Sequence, residues 1–387
     1  MSLASLWSYC RWRLYRWPLA PVGLAVLVAC TAFWRLEHYT ADGHRRIAKL
    51  RSVKPYEDVR WKDLSGLDLA SATGIVESLW FNGTTRWPAN EKLRGSADPA
   101  MVLSNAMNPG LGVRALHKQG IVGKGVNVAI IDQPLTDVHS DYRGKIAAYR
   151  DFGCNSESSM HGPAVASLLV GEHCGTAPGA RIYYAAAPSW TGDAKHYADA
   201  LDWILEQNSA LARSNRIRVV SVSAAPSGPG SPFTKNLDEW DLACKRAETA
   251  GILVLDCTVQ RGVIGPSYFD PRNRENSAGC QLGFPGQAKR PGPVPGRRLL
   301  VPTSPRTTAE HYANQEPGYQ YMGRGGLSWA IPYCAGVLAM GWQLHPEGTG
   351  PEMLELLFDT AFHPRSDLYS IDPSAFIDRL TQKDGGR

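Results

Sequence analysis

A chain of 387 residues, 43% hydrophobic and 20% charged, can bury a sizeable core, which excludes a disordered polypeptide. Residues 1–60 hold ten Lys and Arg against four Asp and Glu, a local excess of +6 where the whole chain carries +5, so the remainder is near −1. A nearly neutral body lacks the clustered basic residues that phosphate binding needs, and this excludes nucleic acid as the main partner.

Residues 17–34 read WPLAPVGLAVLVACTAFW, uncharged, bounded by Arg16 and Arg35 and carrying Trp at both ends. Length and flanks predict a single membrane span. A cleaved signal peptide is the alternative, and Leu27-Val28-Ala29-Cys30 also resembles a bacterial lipoprotein cleavage site. Arg11, Arg13 and Arg16 precede the span, and Arg35, Arg45, Arg46, Lys49, Arg51 and Lys54 follow it. A literal positive-inside count keeps the body in the cytoplasm, whereas a signal anchor with a short basic N-terminus exports it. The expectation is a membrane-anchored body outside the cytoplasm, with a secreted form or a lipoprotein as the alternative.

Three regions follow: residues 1–34 as basic N-terminus and anchor or signal, 35–105 as an arm, and 106–387 as the main domain. The arm mixes short apolar runs with turn signals such as Asn82-Gly83 and Trp87-Pro88. A removable pro-region is the sharper reading of the arm. From Gly112 onward, apolar runs at 126–131, 181–186, 218–222, 252–255 and 299–301 alternate with amphipathic or small-residue stretches at 161–170, 194–206, 237–250, 328–344 and 351–360. The pattern predicts a doubly wound α/β domain, a parallel sheet with helices on both faces. Residues 262–317, rich in Pro, Gly, Arg and Asn, read as mostly surface loop. The eight cysteines leave the compartment open: Cys154 with Cys174, or Cys257 with Cys280, bridge if exported, and buried free thiols are the alternative.

Three residues carry candidate chemistry. Asp132 ends the run at 126–131, at the carboxyl end of a predicted strand, where open α/β sheets place ligands and catalytic groups; a cap or turn is the plain reading. His161 opens His161-Gly162-Pro163-Ala164, at the first turn of a small-residue helix, where Gly162 lets another chain pass close by; a structural histidine is the plain reading. Ser328 lies in Gly325-Gly326-Leu327-Ser328-Trp329-Ala330-Ile331-Pro332, a glycine turn running into an apolar helix. It is either an N-cap or a nucleophile whose neighbouring N–H groups stabilise an oxyanion.

The chain order Asp, His, Ser, with a short first and a long second interval, resembles the subtilisin arrangement. Gly123 to Asp132 resembles the subtilase motif G-x-G-V-x-V-A-V-I-D, and His161-Gly162 resembles its histidine motif. Gly175-Thr176-Ala177-Pro178-Gly179-Ala180 resembles G-x-A-P-x-A, and Gly326 to Pro332 resembles G-T-S-x-A-x-P. The match runs over about residues 112–345. The resemblance implies a serine endopeptidase acting on peptide or protein substrates: Ser328 attacks the scissile carbonyl, His161 moves the proton and Asp132 orients the imidazole, through an acyl-enzyme. It also implies that Ser223-Ala224-Ala225 pairs with extended substrate. Neighbours depart from the family: Gln133-Pro134 follows the acid, Pro163-Ala164 follows the histidine pair, and Leu327 precedes the serine. Gln260 stands where the family places its oxyanion Asn. The chemistry needs no cofactor; the resemblance implies structural calcium, for which no contiguous oxygen-ligand motif stands out.

Two other readings compete. A membrane-tethered pseudo-protease would bind peptides without cutting them. An α/β-hydrolase elbow at Ser328 would draw its acid and base from Asp359 and His363.

Overall fold

The computed structural model describes residues 47–384 apart from 96, 157, 159, 260, 272, 288–295 and 313–315. The segment 17–34, expected to span a membrane, lies outside the described residues, and among the described residues no helix is long and apolar enough to cross one.

The arm contributes β1 (Ala48–Lys49), β2 (Lys62–Asp63), α1 (Ile75–Ser78), β3 (Trp80–Asn82) and α2 (Pro99–Asn105). Asp98 caps α2 by accepting the Ala100 N–H at 2.9 Å, and Pro99 starts the helix where its missing N–H costs nothing. Val59, Leu64, Val76, Leu79 and Phe81 form a small separate core, joined by Tyr321 from the body.

The body begins with α3 (Val113–Lys118), β4 (Asn127–Asp132), β5 (Ile146–Asp151), α4 (His161–Val170) and β6 (Arg181–Ala186). It continues with α5 (Lys195–Ala210), β7 (Val219–Val222), α6 (Leu237–Thr249) and β8 (Leu253–Leu255). The five strands form one parallel sheet in the order β5-β6-β4-β7-β8. After it come β9 (Ile264–Tyr268), β10 (Gln281–Leu282), β11 (Leu299–Pro302), β12 (Arg306–Glu310), β13 (Gly318–Met322), α7 (Ala330–Leu344), α8 (Gly350–Asp359), β14 (Tyr369–Ser370) and α9 (Pro373–Asp384).

Alternation along β4 divides the core. Val128 and Ile130 pack on one face with α4 and α7, while Ala129 and Ile131 pack on the other with α5 and α6. The amphipathic α6 buries Trp240, Ala243, Cys244 and Ala247, one helical face, whereas all ten residues of α4 are buried. The doubly wound sheet expected from the sequence is therefore present. β4 is its centre, with connections leaving to both sides, and this puts a crevice beyond its carboxyl end.

Several expectations need correction. The run at 299–301 becomes β11, but β11 joins a second sheet, β10-β9-β11-β14. The region 262–317 is more than surface loop: its described residues include β9 to β12, with β12 buried along its whole length. Several of its polar side chains are hydrogen-bonded inside, as with Thr307 Oγ1 donated to the Leu103 carbonyl at 2.7 Å, so composition misleads there. β5 carries exposed Tyr149, Arg150 and Asp151 at the sheet edge and shows no apolar run. The six described cysteines are free; Cys154 sits beside Asp151 and Cys174 beside Asp141, in separate surroundings.

Candidate active site

Three element ends meet at the carboxyl edge of the parallel sheet. Asp132 is the last residue of β4, and its Oδ1 accepts both the Gln133 N–H at 2.7 Å and a hydrogen bond from His161 Nδ1 at 2.6 Å. The Asp132 and His161 side chains are 3% and 6% exposed, so their attraction is little screened by water. His161 opens α4, and Gly162 explains how it comes so near β4. A Cβ on Gly162 would lie 2.4 Å from the Gln133 carbonyl oxygen and 2.7 Å from that of Pro134. Pro163 falls in the first turn, where the helix has no use for its N–H.

Ser328 lies in a 3-10 turn, Leu327–Trp329, that feeds α7. The buried indole of Trp329 packs against the imidazole of His161, with ring centroids 5.1 Å apart, which sets the serine turn beside the histidine. Gly325 makes room for that indole, because a Cβ there would meet Trp329 Cδ1 at 2.1 Å. Trp329 Nε1 donates to Met322 Sδ at 3.1 Å.

Ser223 follows β7 and forms a reciprocal pair with the nucleophile candidate. Its Oγ donates to the Ser328 carbonyl at 2.8 Å, and Ser328 Oγ donates to the Ser223 carbonyl at 3.2 Å. The other two expected substrate-pairing residues also hold intrachain donors. The Ala224 carbonyl accepts the Cys257 N–H at 2.9 Å, and the Ala225 carbonyl accepts Ser231 Oγ at 2.6 Å. Each carbonyl keeps a second lone pair for a peptide.

Gln260 lies outside the described residues, but its flanks are held by a residue that the sequence reading missed. Buried Asp256 accepts the Thr258 N–H at 3.0 Å, Thr258 Oγ1 at 2.6 Å, Trp240 Nε1 at 3.2 Å and an Arg261 nitrogen at 3.2 Å. Burial pushes its carboxyl above the usual range, against the pull of Arg261 and Thr258. The available signal was the Asp-x-Thr spacing of an Asx turn. Burial likewise pushes the Cys257 thiol far up, so it is no competing nucleophile.

Asp359 and His363 do not supply the site. His363 packs on Tyr369, and the histidine beside the Ser328 turn is His161, which removes the geometric basis of the hydrolase-elbow reading. Among the described residues, no group of three or more His, Cys, Asp or Glu side chains could hold a metal ion.

Residues 123–289 match the model of the subtilase family, Peptidase S8. The chain is 25% identical over 288 residues to the subtilisin-like protease PopC of Myxococcus xanthus, covering 66% of this chain and 59% of PopC, less than two thirds of its length. It is also 25% identical over 266 residues to a subtilisin of Bacillus pumilus, covering 66% of this chain and 90% of that one. Fervidolysin from Fervidobacterium pennivorans, a keratinolytic enzyme related to subtilisin, superposes with a TM-score of 0.51 at 16% identity, over 71% of this chain and 47% of that one. That likeness bears on the fold alone. Fold, motif order and sequence similarity point the same way: residues 123–289 match the subtilase family, and the chain is similar to subtilisin-like serine proteases.

Proposed function

We propose that this chain hydrolyses peptide bonds through Asp132, His161 and Ser328. The observation that carries the reading is the buried 2.6 Å bond from His161 Nδ1 to Asp132, made by an imidazole that packs against the residue following Ser328. A proton on Nδ1 leaves Nε2 to act as base. Ser328 Oγ turns from the Ser223 carbonyl, gives its proton to Nε2 and bonds to the scissile carbonyl carbon. The carbonyl electron pair moves to oxygen, and collapse of the tetrahedral adduct breaks the C–N bond as Nε2 returns the proton to the leaving amine. Water then repeats the sequence on the acyl-enzyme and releases Ser328. Gln260 is the candidate side-chain donor to the oxyanion, and Asp256 holds Thr258 and Arg261 on either side of it in the sequence.

Fluorophosphonate labelling tests this, because only an activated serine reacts. Wild type should carry the adduct on the peptide containing Ser328, and both Ser328→Ala and His161→Ala should carry none. A folded wild-type protein that takes no label would move the reading to a pseudo-protease that binds peptides uncut.

A further inference from the structure

We propose that the arm, residues 47–105, is a permanent part of the catalytic machinery and positions the turn that delivers Ser328. The inference rests on the peptidase reading above and adds what sustains it.

β13 runs straight into the glycine turn before Ser328, and its outer partner is β3 of the arm. The antiparallel register sets Asn82 opposite Gln320, Phe81 opposite Tyr321 and Trp80 opposite Met322. The pairing is reinforced at both ends. Trp80 Nε1 donates to Gln320 Oε1 at 2.8 Å, and Asn82 Nδ2 donates to Glu310 Oε1 at 2.6 Å on β12. Beyond β13 the Gly323 N–H donates to the Leu79 carbonyl at 2.8 Å.

Gly323 is fitted to the arm backbone. A Cβ there would lie 2.3 Å from the Ser78 carbonyl oxygen and 2.5 Å from that of Glu77. Two residues on, Gly325 receives the Trp329 indole, whose Nε1 returns to Met322 on β13 and whose ring meets His161. The arm backbone, the glycine turn, Trp329 and the histidine thus form one contiguous packed series. An inhibitor meant for excision needs a surface that separates cleanly from the enzyme; here separation would strip a strand from β13 and part the buried Arg60 of the arm from Tyr312 and Gln320 of the body.

Two measurements on the full chain test this. Peptide mapping of the fluorophosphonate-labelled protein should recover peptides from residues 62–92 attached to, or co-purifying with, the labelled body; label on chains that have lost the arm would overturn the inference. Label on no chain at all would overturn both this inference and the reading beneath it. In the second measurement Gly323→Ala should lower kcat on the order of 100-fold, the scale of a misplacement near 1 Å, with KM changed by less than about twofold. Gly83→Ala, at an arm turn where a Cβ would meet nothing within 4 Å, should match wild type. Wild-type kcat in a folded Gly323→Ala protein would overturn the positioning role; if that variant fails to fold, the mapping decides alone.

Discussion

Replacing Ser328 with alanine should lower kcat on a peptide substrate by about a millionfold, and Asp132→Asn should lower it by about 10⁴-fold. The second loss follows from tautomer control. Asp132 Oδ1 is aligned by the Gln133 N–H at 2.7 Å and accepts from His161 Nδ1 at 2.6 Å, which keeps the proton on that nitrogen. An amide in its place can donate instead, which protonates Nε2 and removes the base. Combining His161→Ala with Ser328→Ala should cost little more than either alone, because the groups act as one unit. Gln260→Ala should cost about 100- to 1,000-fold if its amide reaches the oxyanion. Steady-state kinetics on purified variants decide, and an Asp132→Asn enzyme with more than about a tenth of wild-type kcat would sink the triad assignment.

Arg60→Ala should destabilise the fold by about 3–5 kcal/mol, the scale for removing one partner of a buried ion pair. The guanidinium is fully buried, bonds Asp58 at 2.9 Å and Tyr312 at 2.6 Å, and stands 3.5 Å over the Trp80 ring. Glu310 lies 3.9 Å away on β12, and burial pushes its carboxyl from 4.5 up to about 7, against the pull of Arg60. The sign follows from proton linkage: a folded-state value above the unfolded one means that the folded state binds the proton more tightly. The stabilisation from protonated Glu310 is complete below 4.5 and is lost as pH rises through about 7. Its size is on the order of 3 kcal/mol. Glu310→Gln, neutral throughout, should gain on wild type in urea unfolding as pH goes from 5 to 8. A difference independent of pH would show that Glu310 does not titrate in this window.

The candidate site was legible in the sequence because its signals are local. Asp132 ends an apolar strand, His161-Gly162 opens a helix of small and apolar residues, and Ser328 follows a glycine pair, each a signal carried by a few neighbouring residues. Four of the five parallel strands, β4, β6, β7 and β8, were legible because burial on both faces makes such strands largely apolar, whereas edge strand β5 was not. What escaped depends on distant partners. β12 and β13 carry Arg306, Thr307, Thr308, Glu310 and Gln320 inside the protein, and these look like loop residues until distant segments close on them, as Arg60 does on Gln320 and Asn82 on Glu310 from more than 200 positions away. Asp256 escaped for the same reason, since its value lies in Trp240 and Arg261 closing around it. The Cys154–Cys174 and Cys257–Cys280 bridges expected on export do not form, and burial raises all four thiols.

The pairing of β3 with β13 also has a bearing on the order in which the chain folds. Residue 81 meets residue 321 across 240 intervening steps, so the contact closes a loop spanning most of the body. Loop-closure entropy makes so non-local a pairing costly until the sheet between its two strands has collapsed. On a ribosome the arm emerges first and waits until the stretch through Met322 has followed it. On the peptidase reading proposed above, nascent chains therefore lack a braced Ser328 until nearly the whole body exists, which would guard a growing polypeptide against cutting itself by topology alone.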